Sequence, residues 1–198
     1  MASQLYLITP PAADPERFPA TLQAVLDVAA VSALLVRRGT SDAAAYADFA
    51  KHLVGIGQRA GCAVLVEDDA ALAKAIGADG VHISGDAGAV KAALKALKPG
   101  LIVGAGHIPT RHDAMTIGEM DVDYLLFGPL AGGSNAEAAD LAEWWAATFE
   151  IPAVLSDPGA GPAVDPRGAE FLALSDSIRS AADPAAAARA IVNSLETA

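Results

Sequence analysis

The chain has 198 residues, 13 basic and 24 acidic, and a formal net charge of −11. At 53% hydrophobic and 19% charged it can bury a large core, which excludes a disordered chain, and its length suits one domain, 1–198. The acidic excess argues against nucleic acid and anionic membranes as partners, while small anions can still be held by backbone N–H groups and a few arginines.

Apolar strand-like runs alternate with Ala-rich helical segments along the whole chain. The first run, residues 4–9 (QLYLIT), ends at Pro10-Pro11, and a helix is expected over about 14–29. The second, 32–37 (SALLVR), leads to Gly39-Thr40-Ser41-Asp42, whose side chains suit the N-cap of a helix running to about residue 60. The third, 62–67, precedes a helix at 69–76. The fourth, 80–83, precedes a helix at 87–97, which Pro99-Gly100 stops. The fifth, 101–103, is followed by Gly104-Ala105-Gly106 and a weaker helix at 110–120. The sixth, 123–127, closes at Gly128-Pro129 and precedes a helix at 135–149. The seventh, 151–155, closes at Asp157-Pro158-Gly159. After a weak segment near 165–168 comes the eighth, 170–174. Asp183-Pro184 then starts the last helix, with Asp as N-cap and Pro in the first turn.

Eight strand–helix units predict an all-parallel sheet, and near-continuous apolar strands suit a sheet covered on both faces. Eight is the count of a closed (β/α)8 TIM barrel, an α/β fold, compact here at about 25 residues per unit. An open doubly wound sheet normally carries a glycine fingerprint after its first strand, and Thr9-Pro10-Pro11 is not one. The single cysteine, Cys62, excludes an intrachain disulfide framework and reads as a buried thiol at the head of an apolar run. The N-terminus shows no basic segment followed by an apolar one, and no stretch nears the roughly 18 apolar residues of a spanning helix. A cytoplasmic protein with no membrane partner is the expectation.

In such a barrel the reactive groups sit at the C-terminal ends of the strands. Those ends carry Arg37-Arg38, Glu67-Asp68-Asp69, His82 with Asp86 beyond it, and Gly104 to His107. Glu67, Asp68 and Asp86 are hard oxygen ligands that suit Mg2+ with a phosphorylated substrate, and Arg37 can take phosphate bidentately. Spacing alone favours a plainer reading, in which Asp68 and Asp69 cap the next helix and Arg37 neutralises them. His82 is a general base, a ligand-orienting group or a packed donor to a carbonyl. His107 and His112, with Asp113, lack the spacing of a facing helical pair, which argues against zinc. His52 falls mid-helix, solvent-facing or packed. Trp144 and Trp145 cannot share a helix face, so one belongs to the core and the other to the surface or a subunit contact. Gly104, Gly106, Gly128, Gly159 and Gly161 fall after strands, where backbone N–H groups can approach a ligand or simply form tight turns.

LYLITP, GADGVHIS (77–84), DYLLFGPL (123–130), IPAVLSD (151–157) and GAEFLALSDSI (168–178) resemble, in order and spacing, the thiamin-phosphate synthase and TenI family over nearly the whole chain. The resemblance implies a (β/α)8 barrel and a Mg2+-dependent transferase. Such an enzyme joins hydroxymethylpyrimidine diphosphate to thiazole phosphate, through a pyrimidine carbocation trapped by the thiazole nitrogen. Its small phosphorylated pyrimidine and thiazole ligands would meet Arg37 as the diphosphate group and Asp68 and Asp86 as metal ligands. The Gly159–Gly161 turn with Ser175 and Ser177 would hold the thiazole phosphate, and a homodimer is plausible.

The departures from the family are specific. Where the synthases have Gln-x-Arg-x-Lys, this chain has Leu35, Arg37 and Gly39. Glu67-Asp68 replaces Asn-Asp, and Asp86 comes one residue early. The Thr-x-Thr-Lys stretch becomes residues 131–135, without its lysine, and Asp176 stands at a phosphate-serine position, where it repels phosphate unless Arg179 compensates. Two alternatives therefore stand beside the synthase: a TenI-like isomerase using His82 or His107 as base, and a non-catalytic ligand-binding or regulatory barrel.

Overall fold

The strands are mostly apolar because each has two faces to bury, with Gln4, Ser32, Glu67, His82 and Ser156 as exceptions. In the computed structural model, which describes residues 2–161 and 163–197, the elements follow in order. The first half is β1 (Gln4–Ile8), α1 (Phe18–Leu26), β2 (Val31–Val36), α2 (Ala43–Arg59), β3 (Ala63–Glu67), α3 (Ala70–Ile76), β4 (Gly80–Ile83) and α4 (Ala87–Leu97). The second is β5 (Ile102–Ala105), α5 (Arg111–Gly118), β6 (Tyr124–Phe127), α6 (Ala136–Thr148), β7 (Ala153–Ser156), β8 (Phe171–Leu174), α7 (Asp176–Arg179) and α8 (Pro184–Thr197). The eight strands close into a parallel barrel in sequence order, the (β/α)8 TIM barrel that the run count predicts.

Side chains alternate across the barrel wall. Leu5, Leu7, Leu34, Val36, Val64 and Val66 belong to the outer layer, between strands and helices. Tyr6, Ile8, Leu35, Leu65, Tyr124 and Leu126 form the inner cluster. Large inner residues face small ones: Tyr6 pairs with Ala33 and Ala173, and Tyr124 with Gly104. A Cβ on Gly104 would lie 1.9 Å from the Tyr124 ring. Gly104 is thus inside β5, not in the turn after it as its sequence context suggests, and its missing side chain makes room for an aromatic one.

The loops explain where sequence and structure differ. Asp42, Asp69 and Asp86 cap α2, α3 and α4 by accepting from backbone N–H groups of the first turn. Helix α1 begins at Phe18, later than expected, because the Asp14 carboxylate accepts from Glu16 and Arg17 N–H and builds a turn first. Among the described residues no helix joins β7 to β8. The weak segment near 165–168 is a turn, closed by Ala169 N–H on the Pro166 carbonyl and by Arg167 N–H on the Asp165 carboxylate. Its prolines and glycines remove donors and favour turns. The short α7 after β8 was not anticipated from sequence. Trp145 is core, at 1% exposure, while Trp144 is partly buried with the Arg111 guanidinium 4.7 Å from its ring centroid. Cys62 is buried, and burial first, then Asp79, pushes its thiol up to about 12, so it is no reactive thiolate. His52 is exposed on α2. No helix among the described residues is long and apolar enough to cross a membrane.

Candidate active site

The C-terminal mouth is organised around Arg37. Buried Thr9 accepts the Arg37 backbone N–H through Oγ1 at 2.8 Å, which fixes the exit of β2. The guanidinium reaches Glu67 Oε1 through Nε and the Leu130 carbonyl through a terminal nitrogen, both at 3.4 Å. It therefore lies from the end of β2 toward the loop after β6. Both contacts are long for hydrogen bonds, and a guanidinium has five N–H donors, so capacity for an anion remains. The other Glu67 oxygen accepts Arg38 N–H at 3.0 Å, while the Arg38 side chain is exposed. Tyr46 ties the two strand ends together, donating to the Val36 carbonyl and accepting Glu67 N–H.

Two residues away, Gly39 holds φ +56, and a Cβ there would fall 1.7 Å from the Pro11 carbonyl oxygen. The Pro10-Pro11 loop fills the space that a lysine stem would need, so this departure from the family is built into the backbone.

His82 is fully buried inside the barrel, paired with Glu67 on one side and Gly104 on the other. Burial first, and the Arg37 charge second, lower its pKa to about 3, so the ring is neutral. Its Nδ1 lies 2.9 Å from Tyr124 Oη, and its Nε2 is buried without a partner among the described residues. Sequence reading missed Tyr124 and Tyr6 as members of this site. Both are polar-tipped aromatics, but in near-continuous apolar runs nothing in the sequence marks which positions turn inward.

The acidic candidates do not converge into a cage. Asp68 accepts Ser84 N–H at 2.7 Å and does not cap α3, a task that Asp69 performs. Asp86 is committed to α4 through its bond from Ala89 N–H at 2.9 Å. Partial desolvation raises the Asp68 pKa, the Ser84 N–H opposes this, and Glu67 adds to it. Among the described residues no group of three His, Cys, Asp or Glu is placed to hold a metal ion. Mg2+ needs fewer protein ligands, because it keeps waters and takes substrate phosphate oxygens. Asp68, exposed at the end of β3 and in the left-handed region (φ +53), fits as one such carboxylate.

The remaining candidates form two further groups. His107 is exposed, left-handed (φ +55), and shares a cleft of about 280 Å³ with Ile108, Gly128, Pro129 and Asn135. Gly106 sits behind His82, and Gly128 closes β6 against the Ser156 carbonyl. The third group surrounds Pro158, whose carbonyl accepts Ser175 and Ser177 N–H at 3.2 Å each. The Gly159 N–H serves the Asp157 carboxylate, which burial otherwise raises in pKa, and Gly161 is exposed beyond it. Ser177 Oγ is buried with no partner among the described residues, and Asp176 pairs with Arg179 at 3.0 Å, which neutralises that corner.

The thiamine monophosphate synthase family profile matches residues 5–157. The thiamine-phosphate synthase of Hyphomonas neptunium is 36% identical, over 95% of this chain and 91% of that protein. The thiamine-phosphate synthase of Erythrobacter litoralis is 34% identical, over 93% of this chain and 92% of that protein. Among solved structures, a thiamine phosphate pyrophosphorylase from Pyrococcus furiosus superposes with a TM-score of 0.83, over 98% of this chain and 96% of that one, at 21% identity. A 3-hexulose-6-phosphate synthase from Salmonella typhimurium does so at 0.75, over 100% and 99%, at 18% identity. At those identities the two structures show a shared barrel.

Proposed function

The chain belongs to the thiamine monophosphate synthase family, and we propose that it joins a hydroxymethylpyrimidine diphosphate to a thiazole phosphate with release of pyrophosphate. The observation that carries this reading is the similarity to thiamine-phosphate synthases over nearly the whole chain. The position of Arg37 at the mouth, with donors to spare, supports it.

In this reading Arg37 holds the diphosphate and stabilises the charge that grows on it as the bond to the pyrimidine methylene carbon breaks. Asp68 would hold Mg2+ together with the diphosphate oxygens, with Asp86 as a further ligand only if it leaves its helix cap. Bound there, the ion would neutralise the leaving group. Ser177 Oγ and the Gly159–Gly161 turn take the thiazole phosphate, and Arg179 offsets Asp176 there. The apolar inner wall excludes water from the cation until the thiazole nitrogen attacks. A TenI-like isomerase is the second reading, and exposed His107 beside the β5–β6 cleft favours it, because that imidazole is open to substrate.

The deciding experiment is incubation with both phosphorylated precursors and Mg2+. Thiamin phosphate is the expected product. None at high protein concentration overturns the synthase reading. Thiazole phosphate bound in calorimetry without turnover would then make this a binding barrel, and tautomerised thiazole would make it an isomerase.

A further inference from the structure

Within the apolar inner cluster three polar side chains form a line. Tyr6 Oη lies 2.9 Å from Tyr124 Oη, which lies 2.9 Å from His82 Nδ1. The His82 and Tyr124 rings are near parallel, 12° apart at 5.8 Å, and Tyr6 meets Tyr124 edge-on at 5.9 Å. All three residues are at most 6% exposed. At the far end His82 Nε2 has no partner among the described residues and lies against Gly106, where a Cβ would stand 2.7 Å away.

The protons of this line can be counted. Two hydroxyls supply two protons for two hydrogen bonds, and the neutral imidazole supplies one N–H. Among the described residues Tyr6 Oη has Tyr124 Oη as its sole hydrogen-bond partner. If Tyr124 donated to Tyr6, the Tyr6 proton would be buried without an acceptor, an unfavourable state. If Tyr6 donates to Tyr124 and Tyr124 donates to Nδ1, both hydroxyl protons are used and Nδ1 is an acceptor. One of the three protons is left over in either direction, and in this one it sits on Nε2, beside Gly106 at the mouth end of β5 where a substrate acceptor can take it, instead of on Tyr6 above the apolar hollow.

We propose that Tyr124, its own proton turned by Tyr6, is a positioning residue that fixes His82 as the Nε2–H tautomer, a hydrogen-bond donor to an acceptor atom of the substrate. His82 is then not the general base of this site. The inference rests on the reading of the C-terminal mouth as the active site. A side chain at position 106 would collide with Nε2, so glycine there is what lets the ring present that nitrogen at the end of β5.

The test is long-range proton–nitrogen correlation of the imidazoles in the 15N-labelled full chain without ligand, with His82 assigned by the signals lost in His82→Gln. The expected spectrum shows a protonated Nε2 and a bare Nδ1, and Tyr124→Phe mixes or reverses the two. A protonated Nδ1 in the unmodified protein overturns the proposal. It would mean that the line runs the other way, with Tyr6 donating to water in the apolar hollow of about 270 Å³ beneath it. A tautomer unchanged by Tyr124→Phe overturns it as well. In the precursor assay, His82→Gln, which keeps an N–H near Nε2, should retain about tenfold more kcat than His82→Asn, the weight of one hydrogen bond. Equal losses overturn the donor role. The spectra read the free protein, so a missing synthase activity and a wrong tautomer are separate results.

Discussion

In the proposed reaction the diphosphate chemistry would turn on Arg37, because the family's lysines are absent at Gly39 and in residues 131–135. Arg37→Ala should lower kcat/KM for the diphosphate by about 100-fold, the usual cost of one transition-state donor. Steady-state kinetics with thiazole phosphate saturating checks this. Gly39→Lys should not restore a family-like site. It should lower stability by about 1–3 kcal/mol for the left-handed backbone alone, before the overlap with Pro11 is counted. The reading is a urea melt beside the activity, which should not rise. His82 gives a pH signature. Its folded pKa is near 3 and its unfolded value near 6.5, so below 6.5 the unfolded chain takes a proton that the folded one refuses. Its contribution is therefore present above pH 6.5 and fades as pH falls toward 3, by up to about 1.4 kcal/mol per pH unit. Urea melts at pH 7, 6 and 5 should show this slope flattened in His82→Gln.

Helix caps and metal ligands compete for the same aspartates at the scale of single elements. Asp86 occupies the N-cap of α4, and Asp86→Ala should cost about 1 kcal/mol. Asp86→Asn separates the roles, because asparagine caps as well as aspartate but is a poor Mg2+ ligand. Unchanged melting with unchanged Mg2+ dependence would leave Asp86 a cap alone, and a raised Mg2+ requirement would make it a ligand. The elements themselves were legible. Helix α4 and strand β4 lie where the sequence places them, since 80–83 and 87–97 combine clear periodicity with a capping aspartate and a stop signal. Elsewhere local chemistry overrode periodicity. Asp14 diverted the start of α1 into a turn, and the described residues of the proline- and glycine-rich 157–168 stretch form no helix. Within the site, the Arg37–Glu67 pair could be anticipated from charge, because opposite charges end adjacent strands. The Tyr6–Tyr124–His82 line could not, because it joins positions 118 and 42 residues apart whose register only barrel closure sets.

The charge of the whole molecule acts against its proposed substrates. A net charge of −11 repels the phosphorylated precursors at long range, while Arg37 attracts them only at the mouth. The two effects have different reach and respond differently to salt. At about 0.01 M ionic strength the Debye length is roughly 30 Å, so an approaching diphosphate feels most of the protein. At about 0.15 M it shrinks to roughly 8 Å, and the distant carboxylates drop out while Arg37 still acts at contact. Raising salt from the first value to the second, at constant free Mg2+, should therefore raise kcat/KM several-fold. An enzyme whose anion site sits in a basic field shows the reverse. The contrast is sharpest with Arg37→Ala, which loses the short-range attraction and should keep only the long-range repulsion. Its residual activity should rise with salt by a larger factor than that of the unmodified protein.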